Sequence, residues 1–198
     1  MRSFIIAVIL AHFLLFVSFL WQPFSFWLLL PLSLLVLISF TFFTSKPYFF
    51  PFSTPHIGMG IATGFILYVS MVIGKGIIVS IYPPLMSQLT ALYELVQPKE
   101  VWQYLLLFLL VIPGEEIFWR GFVLERLLQS LPSKTSVVLA ALLYTTAHLF
   151  SGSILLVLAA LLGGLVWGYV YIKTKNITIC ILSHTVFNLF LLILFPIL

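Results

Sequence analysis

Between Arg2 and Lys46 the sequence contains no lysine, arginine, aspartate or glutamate. A stretch of that length offers water no ionised surface, yet a helix needs only about 20 apolar residues to cross the ~30 Å hydrocarbon core of a bilayer. The rest of the chain continues the pattern: 63% of it is hydrophobic and 7% charged, against roughly 25% charged in a soluble domain. Soluble globular classes are therefore excluded, and so is disorder, which requires a chain poor in apolar residues. The sequence predicts an all-α fold, a polytopic transmembrane helix bundle that forms one membrane domain. No small-x-small cleavage pattern lies near Trp21, so the first apolar run is expected to stay as a helix. All five acids are glutamate, which rules out Asp dyads, Asp triads and Asp-ligated metals.

Seven spans are expected, at Phe4–Trp21, Phe24–Phe43, Ile57–Tyr82, Val101 to about Phe122, Thr135–Phe150, Ser153–Ile172 and Ile177–Phe195. Thr44–His56 and Pro83–Glu100 read as loops, and Val123–Lys134 as an amphipathic, interfacial segment. With the N-terminus on one side, that side receives Arg2, Lys46, Arg126, Lys134, Lys173 and Lys175. The other receives only Lys99, beside Glu94 and Glu100. Cytoplasmic loops are rich in Lys and Arg, so the N-terminus is expected inside and the C-terminus outside, in a membrane taken to be a bacterial plasma membrane. The net charge of +4 belongs to this asymmetry, since no basic cluster suggests nucleic acid. Cys180, the lone cysteine, reads as a packing residue. Ala160, Gly164 and Gly168, like Gly60 and Gly64, recur every four residues and mark faces where helices approach closely. Trp21, Trp27 and Trp102 lie near span ends, as in an interfacial aromatic belt.

Ionisable groups inside a span are costly and normally face the bundle interior. The fourth span carries Glu115, Glu116 and Arg120, the fifth His148, the seventh His184 and Asn188. Glu116 and Arg120 stand four residues apart on one helical face and can pair. Tyr144 and His148 share that spacing, as do His184 and Asn188. Glu115 points about 100° away from Glu116, so one carboxylate can be held by Arg120 while the other faces a cavity. Pro113-Gly114 precedes the pair and is expected to kink the helix there. Lys75, between Gly74 and Gly76, is left without a role beyond snorkelling or marking a broken helix. His12 and His56 receive none.

A carboxylate, two imidazoles and an amide in a membrane cavity suit peptide-bond hydrolysis. The glutamate can act as general base towards water, and a histidine with an asparagine can donate hydrogen bonds to an oxyanion. Alternatively, Glu115, His148 and His184 are candidate ligands for Zn or another divalent metal with an open position for water. Spacing alone leaves both the metal and the metal-free route open.

Glu115-Glu116-Ile117-Phe118-Trp119-Arg120 resembles the E-E-x-x-x-R motif of the CPBP family, the CAAX protease and bacteriocin-processing (Abi) intramembrane proteases related to type II CAAX prenyl endopeptidases. Tyr144 to His148 resembles the family's F-x-x-x-H, with Tyr for Phe, and His184 to Asn188 its H-x-x-x-N. The resemblance implies a four-helix catalytic core in residues 101–198, preceded by variable transmembrane helices in 1–100. It implies that Glu115 with His148 activates water, that His184 and Asn188 stabilise the oxyanion, and that Glu116 and Arg120 support them. The aromatic at Tyr144 is expected only to pack. The implied partners are the lipid bilayer and a peptide or protein with a membrane-associated segment: a prenylated tail, a bacteriocin leader or similar.

The zinc motif H-E-x-x-H, a pair of aspartates and a G-x-S-x-G elbow are all missing, which sets aside the other intramembrane protease classes. Two other readings compete: a non-catalytic interaction protein such as a bacteriocin self-immunity factor or scaffold, and a proton-relaying transporter, for which no inverted repeat is visible. Counted from the lysine-rich side, Glu115 and His184 lie about 10–12 Å deep and His148 about 20 Å. The depths agree only if the fourth helix runs on past Phe122 and the fifth begins outside the membrane, which is the expected arrangement. The site is expected to open towards the cytoplasm.

Overall fold

The computed structural model describes residues 2–45, 47, 49 and 54–198. Lys46 and most of the expected Thr44–His56 loop lie outside the described residues. The described elements are helical: α1 (Arg2–Trp21), α2 (Phe26–Thr44), α3 (Thr54–Ile81), α4 (Leu85–Val96), α5 (Val101–Leu128), α6 (Ser133–Ala147), α7 (Ile154–Thr174) and α8 (Ile177–Leu194). Six of them, all but α4 and α6, are long and apolar enough to cross a membrane. The chain is a polytopic helical membrane protein.

Three expectations change. The predicted fifth span is α6, whose 15 residues cover about 22 Å, less than the ~30 Å hydrocarbon core; packed antiparallel along α7 through Ala141 and Val137, it still carries the chain from the lysine-rich end towards the other. A 3₁₀ turn at His148–Ser151 ends it, and Gly152, at φ 67°, takes the left-handed conformation that a side chain would resist. The chain then reverses into α7, whose first turn is capped by the Ser153 hydroxyl.

The second change is α4, which occupies the expected loop Pro83–Glu100. Leu85, Leu89, Leu92, Tyr93 and Val96 recur at helical spacing, and Leu89 and Tyr93 are buried. The Tyr93 hydroxyl donates to the Leu191 carbonyl at 2.7 Å and accepts from the Ile197 amide at 3.1 Å, while the Gln97 amide donates to the Leu192 carbonyl at 3.0 Å. These carbonyls sit in the last, π-type turns of α8, Leu189–Leu194. Burial pushes the Tyr93 hydroxyl up to about 12, so it remains a donor at neutral pH.

The third change concerns Val123–Lys134. Helix α5 runs on to Leu128, and Val123 and Leu124 are fully buried rather than interfacial. The Arg126 guanidinium donates to the Thr44 carbonyl at 2.8 Å, tying the ends of α2 and α5 together.

Small residues place the helices. A Cβ on Gly60 would press on Leu182 and the Ile179 carbonyl, and one on Gly64 would run into the Ser183 carbonyl. Helices α3 and α8 therefore lie in close contact and run in the same direction. Gly164 and Gly168 meet Ala141 and Val137 of α6 in the same way. Cys180 is buried, with its thiol on the Trp167 carbonyl at 3.5 Å. His12 is a tether: its Nε2 lies 3.0 Å from the Thr146 hydroxyl of α6.

Candidate active site

Helix α5 carries the two glutamates, and its local geometry follows from Pro113. Proline has no amide hydrogen, so the ordinary i→i−4 bond cannot form there. The helix widens instead into a π-type turn at Leu107–Val111, before the proline, and a separate π-type stretch lies at Trp119–Leu124. Gly114 lets α2 approach, with Leu34 and Ile38 against it.

Because α5 continues to Leu128, Glu115 sits thirteen residues, about 20 Å, from that end. His148 lies fifteen residues, about 22 Å, from the start of α6 at Ser133. The two side chains thus reach one level. His148 Nε2 is 3.7 Å from Glu115 Oε1, and His184 Nε2 is 3.8 Å from Glu115 Oε2. Both separations exceed a hydrogen bond, and a water beside the carboxylate can contact both partners.

The outer nitrogens are fixed. His148 Nδ1 lies 2.8 Å from the Tyr144 carbonyl, to which it donates. His184 Nδ1 lies 2.8 Å from Glu116 Oε1, to which it also donates. Each Nε2 is therefore aimed at Glu115. Arg120 donates to the same Glu116 oxygen at 3.1 Å, and the pair is buried at 0% and 2% exposure. Breaking such a pair on one side costs about 3–5 kcal/mol, because it strands a buried charge. Above the pair, Trp167 stacks on His184 with centroids 3.8 Å apart, and the Arg120 guanidinium lies 5.1 Å from the Trp167 ring centroid. Glu116 Oε2 has no hydrogen-bond partner among the described residues.

The structure adds one contact that the sequence reading missed. The Tyr144 hydroxyl donates to Glu115 Oε2 at 3.1 Å, so this aromatic does more than pack. Nothing in the sequence signals the contact beyond the Tyr-for-Phe departure itself.

A cavity of about 330 Å³ opens beside these groups, within the range of small-ligand sites of about 300–1,000 Å³. Glu115, Tyr144, His148, His184 and Asn188 line it, and most of the remaining wall is apolar. Glu116 and Arg120 stand behind the wall. Asn188 is half-buried, and its side chain makes no hydrogen bond among the described residues. The wall includes Phe26 and Leu30 of α2, Tyr93 of α4 and Ile197, so the cavity extends towards the end of the bundle that bears α4. The cavity thus extends away from the end where Lys134, Lys173 and Lys175 lie.

Each imidazole with its Nδ1 anchored could offer Nε2 to a metal, as metal-binding histidines do. As arranged, however, no group of three or more His, Cys, Asp or Glu among the described residues could hold a metal ion.

The family described as type II CAAX prenyl endopeptidase Rce1-like matches residues 97–190. The matched segment, 94 of the chain's 198 residues, is similar to the Rce1-like family. It holds Glu115, Glu116, Arg120, Tyr144, His148, His184 and Asn188, and leaves out α1 to α4. The match, with the six apolar helices, supports a membrane-embedded protease of the CAAX type in general. No curated protein and no solved structure matches the chain.

Proposed function

We propose that the protein hydrolyses a peptide bond in a membrane-associated peptide or protein, using a water molecule activated by Glu115 with His148. The observation that supports this most is the convergence of two Nε2 atoms, at 3.7 and 3.8 Å, on the Glu115 carboxylate in the cavity wall. A water between Glu115 and His148 gives up a proton to one of them as it attacks the carbonyl carbon. The same group returns the proton to the leaving amine. His184 and Asn188 donate to the oxyanion. Nδ1 of His184 already donates to Glu116, so the ring must carry a second proton, on Nε2, to serve there. That form balances the buried cluster: Glu115 and Glu116 against Arg120 and the imidazolium.

This route needs no metal. The protein sits in a bacterial plasma membrane with its N-terminus and lysine-rich ends inside, so the cavity is entered from the outer side. Bacteriocin leaders and related membrane peptides are candidate substrates.

The test uses purified protein in nanodiscs, incubated with membrane proteins from cells that express Glu115→Gln. Wild type should cut them, Glu115→Gln should not, and chelators should change nothing. Cutting abolished by a chelator and restored by Zn²⁺ would replace the metal-free route with a metal one. No cutting under any condition would favour the non-catalytic membrane partner.

A further inference from the structure

Lys75 of α3 lines the same cavity as Glu115. Helix α3 is continuous there, so Lys75 does not mark a break. It is half-buried and makes no ion pair or hydrogen bond among the described residues. Nor is any acidic side chain in reserve for it. Glu115 faces His148 and His184, Glu116 is engaged by Arg120 and His184, and Glu125 accepts from Tyr171. Glu94 and Glu100 are exposed and lie outside the cavity wall. With no aspartate in the sequence, the far end of a largely apolar cavity presents a lone cation. A cation in such surroundings is stabilised by an anion, and here the ligand would have to bring it.

The separation from the glutamates follows from the helices. Gly64 packs on Ser183, the neighbour of His184, and Lys75 lies eleven residues further along α3, about 16 Å at 1.5 Å per residue. An extended peptide covers that distance in about five residues. Lys75 also falls outside the Rce1-like segment, so the family match assigns it nothing.

We infer that Lys75 is a substrate-recognition residue that binds a carboxylate of the peptide, either its terminal carboxylate or an acidic side chain, about five residues from the bond cut at Glu115. This rests on the proposed function, but its test does not need catalysis. The full-length Glu115→Gln protein is placed in phosphatidylcholine nanodiscs. Binding is followed by anisotropy for three dye-labelled apolar octapeptides: one with a free C-terminus, its C-terminal amide, and the amide with a glutamate as last residue. Both carboxylate peptides should bind roughly tenfold more tightly than the neutral amide. In the background of Lys75→Met that preference should vanish with amide binding unchanged, and Lys75→Arg should keep it.

Equal binding of the three peptides, no binding of any, or a preference that survives Lys75→Met would overturn the inference. So would loss of the preference when phosphatidylglycerol is added, which would give Lys75 to a lipid phosphate. A Lys75-dependent preference together with no cleavage by wild type would keep this role and remove the peptidase reading.

Discussion

Tyr144 shows how much a single oxygen atom can matter at the residue scale. Its ring fills the aromatic place expected next to His148, with centroids 4.4 Å apart, and any aromatic could do that. Its hydroxyl also holds one oxygen of Glu115 and leaves the other facing His148. A hydrogen bond to a charged group contributes about 1.5–3 kcal/mol, and tenfold in rate corresponds to about 1.4 kcal/mol. Tyr144→Phe should therefore lower kcat by roughly tenfold or more. KM should stay unchanged, because the hydroxyl orients the carboxylate rather than gripping substrate. Steady-state kinetics on a substrate peptide would check this, and a rise in KM at constant kcat would contradict it. The i,i+4 pairing of Glu116 with Arg120 was legible from spacing alone. The Tyr144–Glu115 contact was not, because it joins two helices 29 residues apart in sequence, and their relative rotation is a property of packing.

At the scale of elements, small residues were the most readable signal. The Gly60/Gly64 and Gly164/Gly168 repeats do mark close helix contacts. Helix α4 was hidden by its flanking prolines and by Glu94, although its apolar spacing was in plain view. The continuation of α5 was what the differing depths of Glu115 and His148 required, and the fully buried Val123 and Leu124 are what hold it in the core. The tightest contact gives a prediction. Gly64→Ala would force a methyl group against the Ser183 carbonyl, and overpacking costs about 1–3 kcal/mol. It should lower the unfolding temperature in detergent and also reduce activity, since Ser183 adjoins His184. Unchanged stability and activity would mean that α3 and α8 are not locked together there.

The molecule as a whole is a bundle whose charges are sorted by position. Arg126, Lys134, Lys173 and Lys175 gather at one end, α4 and the cavity extend to the other, and a neutral cluster of four charges can sit between. The class of fold was legible because so few charges leave no soluble alternative. The number of full spans was not, because the short α6 is set by where His148 must lie rather than by hydropathy. The charge asymmetry predicts a C-terminus outside the cytoplasm. A periplasmically active reporter fused after Leu198 should work and a cytoplasm-dependent one should not. The opposite pattern would turn the cavity to the cytoplasmic side.

The most direct test of the central claim compares the N- and C-termini of membrane proteins in cells carrying wild type or Glu115→Gln, inserted to equal levels. The account predicts uncut precursors that accumulate only with Glu115→Gln and whose cut sites lie in or beside a membrane segment. Identical termini in the two strains across growth conditions would contradict it.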